Sequence, residues 1–150
     1  MMSNSELILE TLRRSGKLIA QSVQTNAGKI TGTELNAESD YIPSFVSARQ
    51  KMNMLERPVG FVCKSSSGRI VKLLQAYNSE IFKDEPEMLP SQWGFVWSDD
   101  PAHALPFIAL STSPYMTGNC CTENGEAYRS KIDNNVHSPS SYPLGWEKIS

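Results

Sequence analysis

Residues 125–146 read GEAYRSKIDNNVHSPSSYPLGW, and residues 68–93 read GRIVKLLQAYNSEIFKDEPEMLPSQW. The two stretches share a skeleton. The upstream one runs Gly68-x-x-Val71, Asn78, then Pro86-x-x-x-Pro90-x-x-Trp93; the downstream one runs Gly125-x-x-Tyr128, Asn135, then Pro139-x-x-x-Pro143-x-x-Trp146. Gly60-x-x-Cys63 and Gly118-x-x-Cys121 extend the match toward the N-terminus. The differences are one residue in the first turn and four in the Asn-to-Pro loop, both places where insertion costs little loop entropy. Ordered matches with fixed spacing point to an internal duplication. Each unit is expected to be a hairpin, an irregular Pro-containing loop and a short strand ending on a Trp that plugs the core.

The residue types fit those roles. Gly68 and Gly125 supply the positive φ that hairpin turns require, with Asn124-Gly125 a strong turn pair. Cys63 and Cys121 read as small inward-facing hydrophobes, Tyr128 as a strand residue, and Trp93 and Trp146 as the largest groups each unit can bury. Units of this size hold little interior, so they must lean on each other or on the N-terminal part.

That N-terminal part reads as helical. Ser3, Asn4 or Ser5 can cap a helix reaching to about residue 25, with Glu6 in its first turn. Ile8, Leu12, Ile19 and Val23 fall within about 60° of arc, an apolar stripe that predicts a partner. Ser15-Gly16 interrupts it, so a bend is expected there. A second short helix is expected in TELNAESDYI, with Thr33 as cap and Pro43 as stop. The fold class is therefore α+β: a helical N-terminal assembly segment (1–56), a first small antiparallel β module (57–97), a linker (98–112) and a second β module (113–150).

Composition bounds the function. A formal net charge of -2 and no basic run beyond Arg13-Arg14 give no footprint for nucleic acid. The apolar runs fall far short of the ~20 residues that cross a bilayer, so no membrane insertion is expected. The opening MMSNSELILE lacks the features of a signal peptide, which predicts synthesis in a host cytoplasm. Three cysteines, Cys63, Cys120 and Cys121, form neither a disulfide framework nor, with His103 and His137, the spacing of a zinc site. No metal and no cofactor are expected. Asp99-Asp100-Pro101 reads as a turn or helix cap rather than half of a glycosidase pair. No nucleophile elbow, P-loop or dinucleotide fingerprint is present. The chain reads as a non-enzyme.

The downstream motif Y-x-x-G-N-x-C-x-x-x-G-x-x-Y-R-S followed by P-x-x-W, carried by Tyr115, Gly118, Asn119, Cys121, Gly125, Tyr128 and Trp146, resembles the chitin-binding type 3 modules of carbohydrate-binding families five and twelve. The resemblance covers about 38 residues, with a weaker echo in the first unit. It implies a small β scaffold and a sugar platform of one Trp ahead of the first Tyr and an aromatic pair after the second. Those positions here hold Ala109 and Ile132-Asp133, and Gln75-Ala76 in the first unit. The scaffold resembles the family; its flat rings are missing. Tyr77, Trp97, His137 and Tyr142 are the candidates to replace them. In the alternative, Tyr77 and Tyr142 pack over the closing Trp with their hydroxyls in water.

Similar modules occur in phage tail-associated proteins, which the segments ITGTELNAESDYIP and WSDDPAHALPF also resemble. This implies a non-enzymatic virion structural protein, attached to a tail or fibre. It would be partnered by other virion proteins or by itself as a homo-oligomer, with a trimer the commonest arrangement of such proteins. One alternative is a lectin-like host-recognition module that binds cell-surface polysaccharide. Another is an accessory binding module of a cell-wall hydrolase.

Overall fold

The computed structural model describes residues 3–149, and for residues 9–13 the helical backbone only. It is a mixed α+β chain with two sheets. Helix α1 spans Asn4–Asn26 without a break at Ser15-Gly16. Its N-terminus is a complete capping box: the Glu6 amide donates to Ser3 Oγ at 3.2 Å and the Ser3 amide to Glu6 Oε2 at 2.9 Å. A single Gly weakens a helix by only about 1 kcal/mol, less than the two good turns on either side supply. Helix α2 is Gly32–Ala37, capped by Thr31 rather than Thr33, and gives way to a 3-10 turn at Ser39–Tyr41. Pro43 then forces an extended segment before α3, Phe45–Lys51.

The first sheet joins β1 (Val62–Lys64), β2 (Ile70–Leu73) and β3 (Trp93–Val96) as an antiparallel meander in the order β1-β2-β3. The second orders β4 (Leu105–Pro106), β5 (Cys120–Glu123), β6 (Glu126–Ser130) and β7 (Trp146–Ile149), with β4 parallel to β5 and the rest antiparallel. Both tryptophans open their strands rather than ending them. Each lies opposite the last residue of the central strand, Trp93 against Leu73 and Trp146 against Ser130. Placed there, the ring reaches the interior just as the chain leaves its Pro-containing loop.

The two meanders agree in register. Cys63 pairs with Val71 as Cys121 pairs with Tyr128. Gly60 donates to Leu73 O at 2.8 Å and Gly118 to Ser130 O at 2.9 Å, both glycines at positive φ (94° and 98°). Leu74 donates to Gln92 O as Lys131 does to Gly145 O. Beside each first strand lies a short parallel segment, Ser44 against Lys64 and β4 against β5.

Packing does not follow the boundaries expected from sequence. Phe45, Ala48 and Met54 from the helical segment share one core with Cys63, Val71, Tyr77, Trp93 and Phe95. A second cluster sets Val23 and Ala27 of α1 with Leu35 and Ile42 against Val62 and Ile70. Residues 27–54 therefore cover the two faces of the first sheet. The expected linker supplies β4 and the Phe107 ring of the third cluster, with Tyr115, Cys121 and Trp146. The outer edge of β1 is closed twice. Gln24 exchanges both side-chain hydrogen bonds with the Val62 backbone, at 2.7 and 2.9 Å, and Lys64 donates to Pro43 O at 2.9 Å. An amide side chain that copies a strand's donor and acceptor keeps this edge from pairing with another chain.

Candidate functional site

Among the four aromatic candidates, two are structural. Tyr77 is 6% exposed, its hydroxyl accepts from Trp93 Nε1 at 3.0 Å, and the rings meet edge to face. The hydroxyl is thus satisfied inside the core rather than in water, and burial raises its pKa. Trp97 is half-buried in a ladder of rings. It stacks on Tyr115 at 4.3 Å and on Phe95 at 5.8 Å, Tyr115 stacks on Phe107 at 5.3 Å, and Phe107 meets Trp146 edge-on at 6.0 Å. Trp97 Nε1 donates to Ser113 O at 3.0 Å. Stacked between residues of two core clusters, it is part of the packing rather than an open platform.

Tyr142 and His137 are exposed at the surface of the second unit, their rings edge to face at 5.9 Å. Tyr142 is 39% exposed and lies against Gly145, where an added Cβ would come within 2.8 Å of its ring. Below them Trp146 Nε1 donates to His137 O at 2.8 Å. Leu144 beside them is 76% exposed.

The remaining motif residues are fillers or turns. Cys63, Cys120 and Cys121 are free and buried, and burial pushes the Cys121 thiol up to about 12 and raises those of Cys63 and Cys120. Gly68 sits at φ 90° and Gly125 at φ 79° after Asn124 at φ 52°. Tyr128 is half-buried against the third cluster and donates to Glu126 Oε2. Asn135 is buried and ties its loop to the sheet through Ser130 Oγ and Gly145 O, while its backbone bridges Tyr115.

Several carboxylates accept from backbone amides and side chains. Asp100 Oδ1 accepts from the Ala102 amide, Asp99 Oδ1 from Asn119, Glu85 from the Ser66 amide and Asp133 from the Thr117 amide. Glu87 pairs with Arg69 at 3.2 Å and accepts from Ser67 at 2.6 Å, and Arg69 Nη2 donates onward to Pro106 O. That clamp fastens the first hairpin turn to the start of the second sheet. No group of three or more His, Cys, Asp or Glu among the described residues could hold a metal ion.

The stripe expected on α1 divides. Val23 turns inward to the second cluster and is not available to a partner, because the helix rests on the body at this end. Ile8 (61% exposed), Leu18 (65%) and Ile19 (38%) remain bare. Leu12's side chain lies outside the described residues. No helix among the described residues is long and apolar enough to cross a membrane.

Sequence reasoning missed three positioning features: β4, the Gln24–Val62 pairing and the Arg69 clamp. Only β4 left a signal, the apolar run Leu105–Leu110 inside the supposed linker. Comparison with protein-family models, with curated proteins and with solved structures gives no match.

Proposed function

We propose that this chain is a non-enzymatic structural protein of a phage particle. In this reading α1 is its assembly element, and its two β units, copies of one ancestral module, form the displayed body. The observation that carries the reading is the outward arc of α1. At 100° per residue, Leu18, Ile8 and Ile19 fall within about 100° of arc, whereas Glu6, Arg14 and Lys17 gather on the other side. The body-facing residues Val23 and Ala27 lie on a third direction, so intramolecular packing leaves Ile8 and Leu18 of the arc uncovered, while Ile19 lines a hollow against Ile30 and Glu38.

Copies of the same helix are the occupant this pattern favours. In a cyclic bundle of such helices, residues on the symmetry axis meet their own kind, so a charge there repels itself. Here the seam carries none. The structural use of the carboxylates and the covered rings of Tyr77 and Trp97 support a scaffold without catalysis and without the family's sugar platform. The shared register of the two meanders supports their common origin. The resemblance to tail-associated modules supports the virion location.

Light scattering coupled to size exclusion tests the assembly role. The protein is expected to run as an oligomer, and Ile8→Lys/Leu18→Lys to run as a monomer with an unchanged circular dichroism spectrum. A wild-type monomer at high concentration refutes it. Mass spectrometry of purified particles tests the location, and absence of the chain refutes that. The exposed Tyr142–His137 pair favours a second reading, a lectin-like module. Polysaccharide pulldown that Tyr142→Ala abolishes would establish it.

A further inference from the structure

Where α1 returns to the body it overhangs a pocket of about 670 Å³, walled by Gly16 and Ala20 of the helix on one side and by Tyr41, Ile42, Pro43 and Phe61 on the other. Its size and mostly apolar walls are those of a small-molecule site. The polar groups around it are biased in sign: Lys17, Lys51 and Arg57 against the single carboxylate Asp40. The chain as a whole carries a formal charge of -2, so this is a local cationic spot on a mildly anionic protein.

The two lysines of the pocket differ from those that brace the fold. Lys64, Lys72 and Lys148 each commit the ammonium to a carbonyl or carboxylate within about 3 Å, at 3.1, 2.8 and 3.1 Å. The ammonium groups of Lys17 and Lys51, which line the pocket, make no hydrogen bond or ion pair among the described residues. Arg57 is fixed in place: its Cζ stands 4.3 Å from the Phe61 ring centroid, and Nη2 donates to Ala48 O at 2.9 Å. Its Nε is buried with no acceptor. That Nε is sealed from the pocket, but a guanidinium pinned by an aromatic face and a carbonyl is a preorganised cation in its wall. Gln24, Arg57 and Phe61 also wall a second hollow of about 570 Å³ beside Val59 and Gly60.

We propose that this pocket binds a small organic anion. Lys17, Lys51 and Arg57 hold its carboxylate or phosphate group, and an apolar or aromatic body lies on Phe61 and Pro43. The inference is independent of the virion reading, since it concerns the body-facing side of α1 and not its bare arc.

Amide chemical-shift titration of the ¹⁵N-labelled protein with phenyl phosphate, benzoate, inorganic phosphate and benzyl alcohol tests it. Phenyl phosphate or benzoate is expected to give saturable shifts at Lys17, Tyr41, Ile42 and Phe61, at least about tenfold tighter than inorganic phosphate or benzyl alcohol. Which of the two aromatic acids binds more tightly identifies the acid group. Lys17→Gln/Lys51→Gln, both exposed substitutions that leave the core alone, should weaken binding by about tenfold or more, and the Lys83→Gln/Lys131→Gln control should not. Three results overturn the proposal: no saturable shift up to about 10 mM, equal binding of the neutral alcohol, or an unchanged affinity in the Lys17/Lys51 variant.

Discussion

Trp97→Ala should cost this protein more than its half-buried position suggests. The indole packs against two core clusters at once, the one built on Trp93 and the one built on Trp146. Truncating a buried Trp to Ala costs about 3–5 kcal/mol. Partial exposure moves this site to the lower part of that range, while the lost stacks on Phe95 and Tyr115 are each worth about 0.5–1.5 kcal/mol beyond area. Ser113 O also loses its donor, for about 1 kcal/mol. The range for a truncated Trp already contains these lost stacks and the unpaired acceptor, so the expected loss is about 3–4 kcal/mol in all. Trp97→Phe keeps a stacking ring and gives up chiefly the N–H donor, so it should cost about 1–1.5 kcal/mol. Urea titration followed by circular dichroism and fluorescence measures both. At a slope near 2 kcal/mol/M, the Ala variant's midpoint should fall by about 2 M and the Phe variant's by under 1 M. An Ala variant that loses less than about 1 kcal/mol, or a Phe variant as damaged as Ala, would show that the ladder does not join the two sheets.

Two glycines should respond in opposite directions. Gly32→Ala drives its Cβ into the Trp97 carbonyl and within 3.0 Å of Val96 Cγ1, and overpacking of this kind costs about 1–3 kcal/mol. Gly16→Ala meets open space in mid-helix and should raise stability by up to about 1 kcal/mol, read as an increase in thermal midpoint; a loss there would mean that α1 is not continuous. Acid sensitivity has an assignable part. The Thr117 amide and hydroxyl lower the pKa of Asp133, and Lys148 with Tyr128 lowers that of Glu126. Groups with depressed folded pKa contribute fully above their unfolded values, near pH 4, and lose that contribution as pH falls through the folded ones. Asp133→Asn/Glu126→Gln should therefore flatten the decline of stability between about pH 4 and pH 2, and an unchanged slope in acid titrations would rule these sites out.

The local elements were legible because their causes are local. The Asn124-Gly125 turn, the capping of α1 near Ser3 and the two hairpins follow from backbone preferences of a few consecutive residues. The candidate site was less so. Tyr77 and Trp97 are large amphipathic rings in polar loops, and nothing in their neighbours distinguishes a ring that covers a core from one that waits for a ligand. Their fate depends on Trp93, Ser113 and Tyr115, each 16 to 18 residues away along the chain.

By itself, the sequence determined that this chain has two β hairpins, each followed by a Pro-containing loop and a short strand that carries a core tryptophan, behind a long capped helix. These are matters of spacing, turn chemistry and hydrophobic period, all read within one element or its neighbour. That each tryptophan opens its strand was not legible there. Only the tertiary structure decided that residues 27–54 close over the first sheet, that the supposed linker contributes a strand, and that Val23 turns inward while Ile8 and Leu18 stay bare. The physical reason is that burial belongs to surfaces brought together across the chain. An apolar stripe states only that something must cover it, and packing chooses what does.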